Sequence, residues 1–184
     1  MKKTWLTACL MLVFMAVFPV GGSAASDYSR GSTSWYIGFG IGGGSGWVHV
    51  KGLDIHQQGG GAAMFKIGGV IGPHLLIGFE ASAWDYGEGD GIVQFTHNDA
   101  MFTWFPWANA GFYVKGGVGL GWTVIKLSTI WGRSRAGFDL KAGIGYEFQL
   151  GEAFNLGVEG AYGATIYEDD NTGDAELLLT FSWY

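Results

Sequence analysis

His97 and Asp99 are a histidine–acid pair two positions apart. With a serine in reach, such a pair can run acyl transfer: the imidazole takes the hydroxyl proton and the acid orients the ring. No serine lies beside them in sequence, and no local motif for that chemistry surrounds them. His49, His56, His74 and His97 lack ligand spacing of the H-x-x-x-H kind, so they read as loop or rim residues rather than a metal centre. Gly38-Phe39-Gly40-Ile41-Gly42-Gly43 has the G-x-G-x-x-G spacing of a dinucleotide loop. That loop needs a helix to follow it, and an extended pattern follows here. Asp169, Asn171, Gly173 and Asp174 have the residue types of a calcium loop. They are equally the residues of a solvated acidic hairpin. The residues therefore predict no catalytic, cofactor or metal site.

The remaining charges are more informative because of their phase. Lys66, Glu80, Lys115, Asp139, Lys141, Glu147 and Glu159 each sit at alternate positions of an otherwise apolar run. Phe112, Val114, Gly116, Val118, Leu120 and Trp122 alternate with Tyr113, Lys115, Gly117, Gly119 and Gly121. Phe138 to Phe148 and Phe154 to Ala164 repeat the pattern, and 35–42, 63–68, 75–82 and 177–183 show it in shorter form. Period two is the signature of strands. A fourth strand ends near Phe105, with Ile92 to Asp99 readable as strand or loop. The total is eight. Gly is the largest class at 34 residues, and aromatics are 16%. Many glycines disfavour helix, since each costs about 1 kcal/mol in a helix interior.

One face of these strands is apolar and aromatic; the other carries Gly, Lys, Glu, Asp and Tyr. A soluble barrel needs apolar residues inside and polar residues outside. Here a charged face pairs in a closed lumen while lipid meets the aromatics. The longest runs also match the ~9–11 residues of a tilted membrane strand. Connections alternate in length. Those at 72–74, 106–109 and 151–153 are short; those at 43–61, 86–99, 123–135 and 168–174 are longer and more polar, as expected of periplasmic turns and outer loops. The fold class predicted is all-β: a closed, antiparallel, up-and-down transmembrane barrel. Both mature termini then lie on the short-turn, periplasmic side. Lys66, Lys115 and Lys141 are expected to face Glu80, Glu147, Asp139 and Glu159.

The N-terminus reads as a signal peptide. Lys2 and Lys3 precede an apolar run from Trp5 to Val20, and Gly21-Gly22-Ser23-Ala24-Ala25 supplies small residues for cleavage. This divides the chain into a signal peptide, 1–25, and a barrel domain, 26–184. Cys9 is the only cysteine and falls in the signal, so no disulfide is expected. Loss of Lys2 and Lys3 takes the formal charge from −6 to −8. With no basic stripe, nucleic acid is excluded as a partner.

Phe105-Pro106, a short turn, then Gly111-Phe112-Tyr113-Val114-Lys115-Gly116-Gly117-Val118-Gly119 resembles the fourth-to-fifth strand passage of the OmpA/OmpX and opacity-protein family of eight-stranded outer-membrane barrels. The resemblance extends over about residues 33 to 184. Phe181-Ser182-Trp183-Tyr184 resembles the family's C-terminal signal for the outer-membrane insertion machinery, except that Tyr184 is one step out of phase with the lipid face. The resemblance implies a structural or surface-interaction protein, in adhesion or membrane integrity. A narrow pore is the alternative, and a lipid A-modifying enzyme is a more distant one. Binding residues concentrate on loops. Trp47, His49, Lys126, Trp131, Arg133 and Arg135 are the loop candidates, the three basic residues facing lipopolysaccharide phosphates or the acidic fourth loop.

Overall fold

Alternating side chains rich in Val, Ile, Phe, Trp and Tyr favour an extended backbone, which must find hydrogen-bonding partners on both edges. The computed structural model describes residues 30, 34–50, 53–88, 91–127, 130–134, 136–168 and 170–184. Among them nine strands form: β1 Trp35–Val50, β2 Leu53–Gly72, β3 Leu75–Glu88, β4 Gly91–Trp104, β5 Phe112–Leu127, β6 Ile130–Arg133, β7 Gly137–Gln149, β8 Phe154–Ile166 and β9 Asn171–Trp183. Eight of them close a ring. β1 pairs with β2 on one side and with β9 on the other, and β4–β5 pairing completes the circuit. All pairings are antiparallel. Closure leaves no sheet edge, the condition for a β-structure in lipid. The short β6 stands outside the ring and folds back on β5.

The two ends of the barrel differ. At one end the turns are tight, and neighbouring turns are bonded to one another. The Phe105 N–H donates to the His74 carbonyl at 2.9 Å, the Glu147 N–H to Gly111 at 2.9 Å, and the Tyr184 N–H to Ala153 at 3.0 Å. Trp35, Trp104, Trp107 and Trp183 lie at this end, all more than a third exposed. A ring that is apolar with one N–H suits a lipid–water boundary.

At the other end the structure corrects the sequence reading. The segments 43–61 and 86–99, expected as long polar loops, are mostly strand: β1 runs to Val50 and β2 starts at Leu53, while β3 runs to Glu88 and β4 starts at Gly91. Ile92 to Asp99 is strand throughout. Within 123–135, β5 and β6 form a hairpin. The reason is physical. A strand that leaves the apolar band still carries a backbone donor and acceptor at every residue, and continued pairing with its neighbour satisfies them. Gly59, Gly60 and Gly61 pair with Ser45, Gly44 and Gly43 although none of them contributes to an apolar pattern.

Candidate functional site: a charge-filled lumen below tall hairpins

The period of two sends every other side chain inward, and inside the barrel these side chains stack in layers. At the tight-turn end Tyr36, Leu76, Phe105, Tyr113 and Tyr184 form an apolar floor. Arg30, which precedes β1, lies with its guanidinium 3.7 Å from the centre of the Phe105 ring. It donates to the carbonyls of Ala108, at 3.2 Å, and Ala110, at 2.7 Å. Its other side faces Glu147 at 3.7 Å. Glu147 also accepts from the Tyr184 hydroxyl, at 2.8 and 3.0 Å, and from Ser182, at 3.1 Å. The residue that sequence phase set apart at the C-terminus is thus turned into the lumen as part of the floor.

Above the floor lies a lysine–glutamate layer. Lys66 is 3.6 Å from Glu147. Lys115 is held between Glu80, at 2.6 Å, and Glu159. Lys141 is held by Glu176 at 3.1 Å and by Glu80 at 3.4 Å, and it donates to Ser82. Room for these side chains comes from glycines on the facing wall. A Cβ at Gly145 would lie 2.4 Å from the Tyr113 ring. That ring must lie there for its hydroxyl to reach Glu159 at 2.7 Å.

A third layer is built on His97. Its Nδ1 meets both Asp139 oxygens at 2.9 Å, and its Nε2 meets Asp174 at 2.7 Å. Asp139 also accepts from Thr165. The imidazole is packed over Gly163, where a Cβ would sit 3.0 Å from Cε1. Asp99 shares a row with Gly119 and Asp139 on β4, β5 and β7. It is fully buried. An apolar group caps the far end: Val48, Ala62, Met64, Trp84, Phe95 and Leu178, with Trp84 and Phe95 stacked at 5.0 Å.

Outside, the polarity reverses. Phe39, Ile41, Ile67, Ile77, Phe79, Phe102, Val118, Leu120, Phe138, Leu140, Ile144, Leu177 and Leu179 are each 38–59% exposed. A continuous apolar band of this size exceeds the few hundred Å² that a soluble monomer exposes.

No protein-family model matches the sequence, and no curated protein matches it. Solved structures match its fold. Neisserial surface protein A superposes with a TM-score of 0.65 at 11% identity, covering 82% of this chain and 97% of its own. Ail, the attachment invasion locus protein of Yersinia pestis, gives 0.59 at 14% identity, covering 82% of this chain and all of its own. Ail in complex with the heparin analogue sucrose octasulfate gives 0.57. The fold is that of the small outer-membrane β-barrels.

Within this barrel the candidate chemistry has a clear outcome. His97 is neither a loop nor a rim residue: it is buried between two carboxylates, and both ring nitrogens are engaged. An imidazole so placed cannot also accept a serine proton. Ser82 sits on Lys141, but an ammonium held between two glutamates has no lone pair to act as a base. Asp174, expected in a solvated hairpin or a calcium loop, is instead fully buried against His97. Asp169 lies outside the described residues. Asp139 belongs to the histidine layer, so it does not pair with the lysines as expected. The sequence reading missed Arg30, His97, Asp99, Asp174 and Glu176 as lumen groups. Four of them are in phase with neighbouring inward positions; Arg30 precedes any periodic run.

The loop candidates are dispersed. Trp47 is on the wall of β1, its ring 5.3 Å from Tyr162, rather than in a loop. His49, also on β1, is exposed. Lys126 is on β5, partly buried, with its backbone opposite Trp131. Trp131 and Arg133 are in β6. Their side chains, and Arg135 altogether, lie outside the described residues.

Proposed function

We propose that this chain is a non-enzymatic surface protein of a bacterial outer membrane, in an adhesion or membrane-integrity role, with its interactions on the tall hairpins. The single observation that carries the reading is a lumen packed through three layers of side chains and capped at both ends, beneath strands that continue past the apolar band. On β4 the outward residues change from Phe102 and Ala100 to Asn98, Thr96 and Gln94, and Asp85 faces out on β3. Seven residues separate Ala81, opposite Asn98, from Glu88 at the strand end. At ~3.3 Å each that is about 23 Å of paired strand beyond the band. A rigid, tilted pedestal of that strand length suits a binding surface.

The tight-turn end then faces the periplasm with both mature termini. Residues 1–25 are a cleaved signal, and the C-terminal strand is read by the insertion machinery. Lipopolysaccharide phosphates are the contact for Lys126, Arg133 and Arg135 on the third hairpin. No observation favours a conducting lumen, because an ion would have to displace paired charges and two apolar caps.

The test has two arms. A barrel whose β1–β2, β3–β4 and β5–β6 hairpins are cut back to the apolar band should keep its folded, fast-migrating unboiled gel band. It should lose binding to lipopolysaccharide-bearing vesicles or host-cell surfaces. In a planar bilayer the intact barrel should give no steady conductance. Large, ion-selective conductance that survives shortening would replace this reading with a pore.

A further inference from the structure

The rim of the barrel is uneven. β5 and β7 pair from Phe112 opposite Tyr146 only as far as Gly121 opposite Gly137. Beyond that level β5 turns its edge to β6 instead. On the far side β8 and β9 end low, at Ile166 opposite Asn171. Between the β5–β6 hairpin and this low side lies a cavity of about 660 Å³. That volume falls in the ~300–1,000 Å³ range of small-molecule sites.

Its two walls differ in chemistry. Toward the outside it is lined by Phe138 and Ile166, both about half exposed and continuous with the apolar band. Toward the lumen it is lined by hydroxyls. Thr123 Oγ1 is 3.1 Å from the Tyr167 hydroxyl and 3.4 Å from Thr172 Oγ1, and Ser134 Oγ is 3.3 Å from Tyr167. Thr123 and Thr172 are 5% and 4% exposed. Hydroxyls both donate and accept, so they suit a polar group without charge. Glu168, also in the lining, opposes an anionic one by like charge.

We propose that this cavity binds a single-chain amphiphile with an uncharged, hydroxylated head: chain against Phe138 and Ile166, head on the Thr123–Tyr167–Thr172 hydroxyls. The inference rests on the barrel lying in a membrane, which presents such a molecule at the apolar mouth.

The test uses the full mature chain in phosphatidylcholine nanodiscs, with radiolabelled monolauroylglycerol in equilibrium dialysis against empty nanodiscs. Saturable excess binding of one molecule per barrel is expected. Ala136→Trp, which fills the cavity from its edge, should weaken it at least tenfold. Thr123→Val, nearly isosteric, should weaken it about tenfold through the head alone, whereas Leu120→Trp on the lipid wall should leave it unchanged. Laurate should compete at least tenfold less well. Equal uptake by loaded and empty nanodiscs overturns the site, as does binding indifferent to both cavity variants. Laurate competing equally overturns the head-group assignment. A barrel that fails to give the fast-migrating band in nanodiscs would count against the membrane reading itself, a separate outcome.

Discussion

Lys115→Met tests whether the lumen is held by charge pairing. The Lys115 side chain is 2% exposed and lies between Glu80, at 2.6 Å, and Glu159, themselves 2% and 0% exposed. Methionine replaces the stem but not the ammonium, leaving two carboxylates without their shared cation. Removing one partner of a buried pair costs about 3–5 kcal/mol, much of it the desolvation of the charge left behind. With a urea slope of about 2 kcal/mol per molar, the midpoint should fall by roughly 1.5–2.5 M. Refolded barrels in detergent micelles, followed by tryptophan fluorescence and the unboiled gel band, give that midpoint. Lys51→Met, a position outside the described residues in the first hairpin connection, is the reference and should move it by less than about 0.3 M. The triple variant Lys115→Met/Glu80→Gln/Glu159→Gln should recover a large part of the loss, because no unpaired charge then remains on these three residues. Equal midpoints for the two single variants would refute the pairing argument. A triple variant worse than Lys115→Met would refute the desolvation argument specifically.

Refolding the mature chain in detergent should give β-type circular dichroism and a heat-modifiable band; a soluble monomer without detergent would remove the basis for a membrane barrel. Gly145→Leu should cost at least about 1–3 kcal/mol in the same urea assay, because its side chain would enter the space of the Tyr113 ring. Trp84→Ala should lower stability by about 3–5 kcal/mol, since the side chain is 1% exposed and stacked on Phe95. Tyr184→Phe removes one donor to Glu147 while Ser182, Lys66 and Arg30 remain, so a loss of only about 1 kcal/mol is expected by the same assay.

The architecture was legible because side-chain phase is local. Lys115 and Lys141 stand among glycines on one face of runs whose other face is Phe, Val and Leu, so inward charge can be read from one strand at a time. Pairing cannot. Lys66 is directly opposite Glu80 in register on the next strand, yet its ammonium reaches Glu147 on β7. Which carboxylate a lysine meets depends on the diameter and stagger of the closed ring, and those exist only once all strands are placed. The His97 layer was hidden for a related reason. His97 and Asp174 are 77 positions apart and meet across the lumen. Asp174, among Asn and Gly, has the local composition of a turn. The hairpins were hidden because glycine pairs through its backbone and leaves no trace in an apolar pattern.

The ion pairs of the lumen join strands that are not neighbours: β2 with β7, β5 with β3 and β8, β7 with β3 and β9, β4 with β7 and β9. Among the described residues, none of these ion pairs joins the two strands of a single hairpin. Apart from Lys66, which has Glu80 opposite it within the β2–β3 hairpin, a lysine or glutamate carried into hydrocarbon on a lone hairpin would have no counter-charge directly across from it, and each such charge is costly there. A partly assembled sheet has the same defect until its opposite wall arrives. The route into the membrane is therefore a concerted one. The strands must gather into a nearly closed cylinder at the surface, with their charges already facing one another, before any of them crosses.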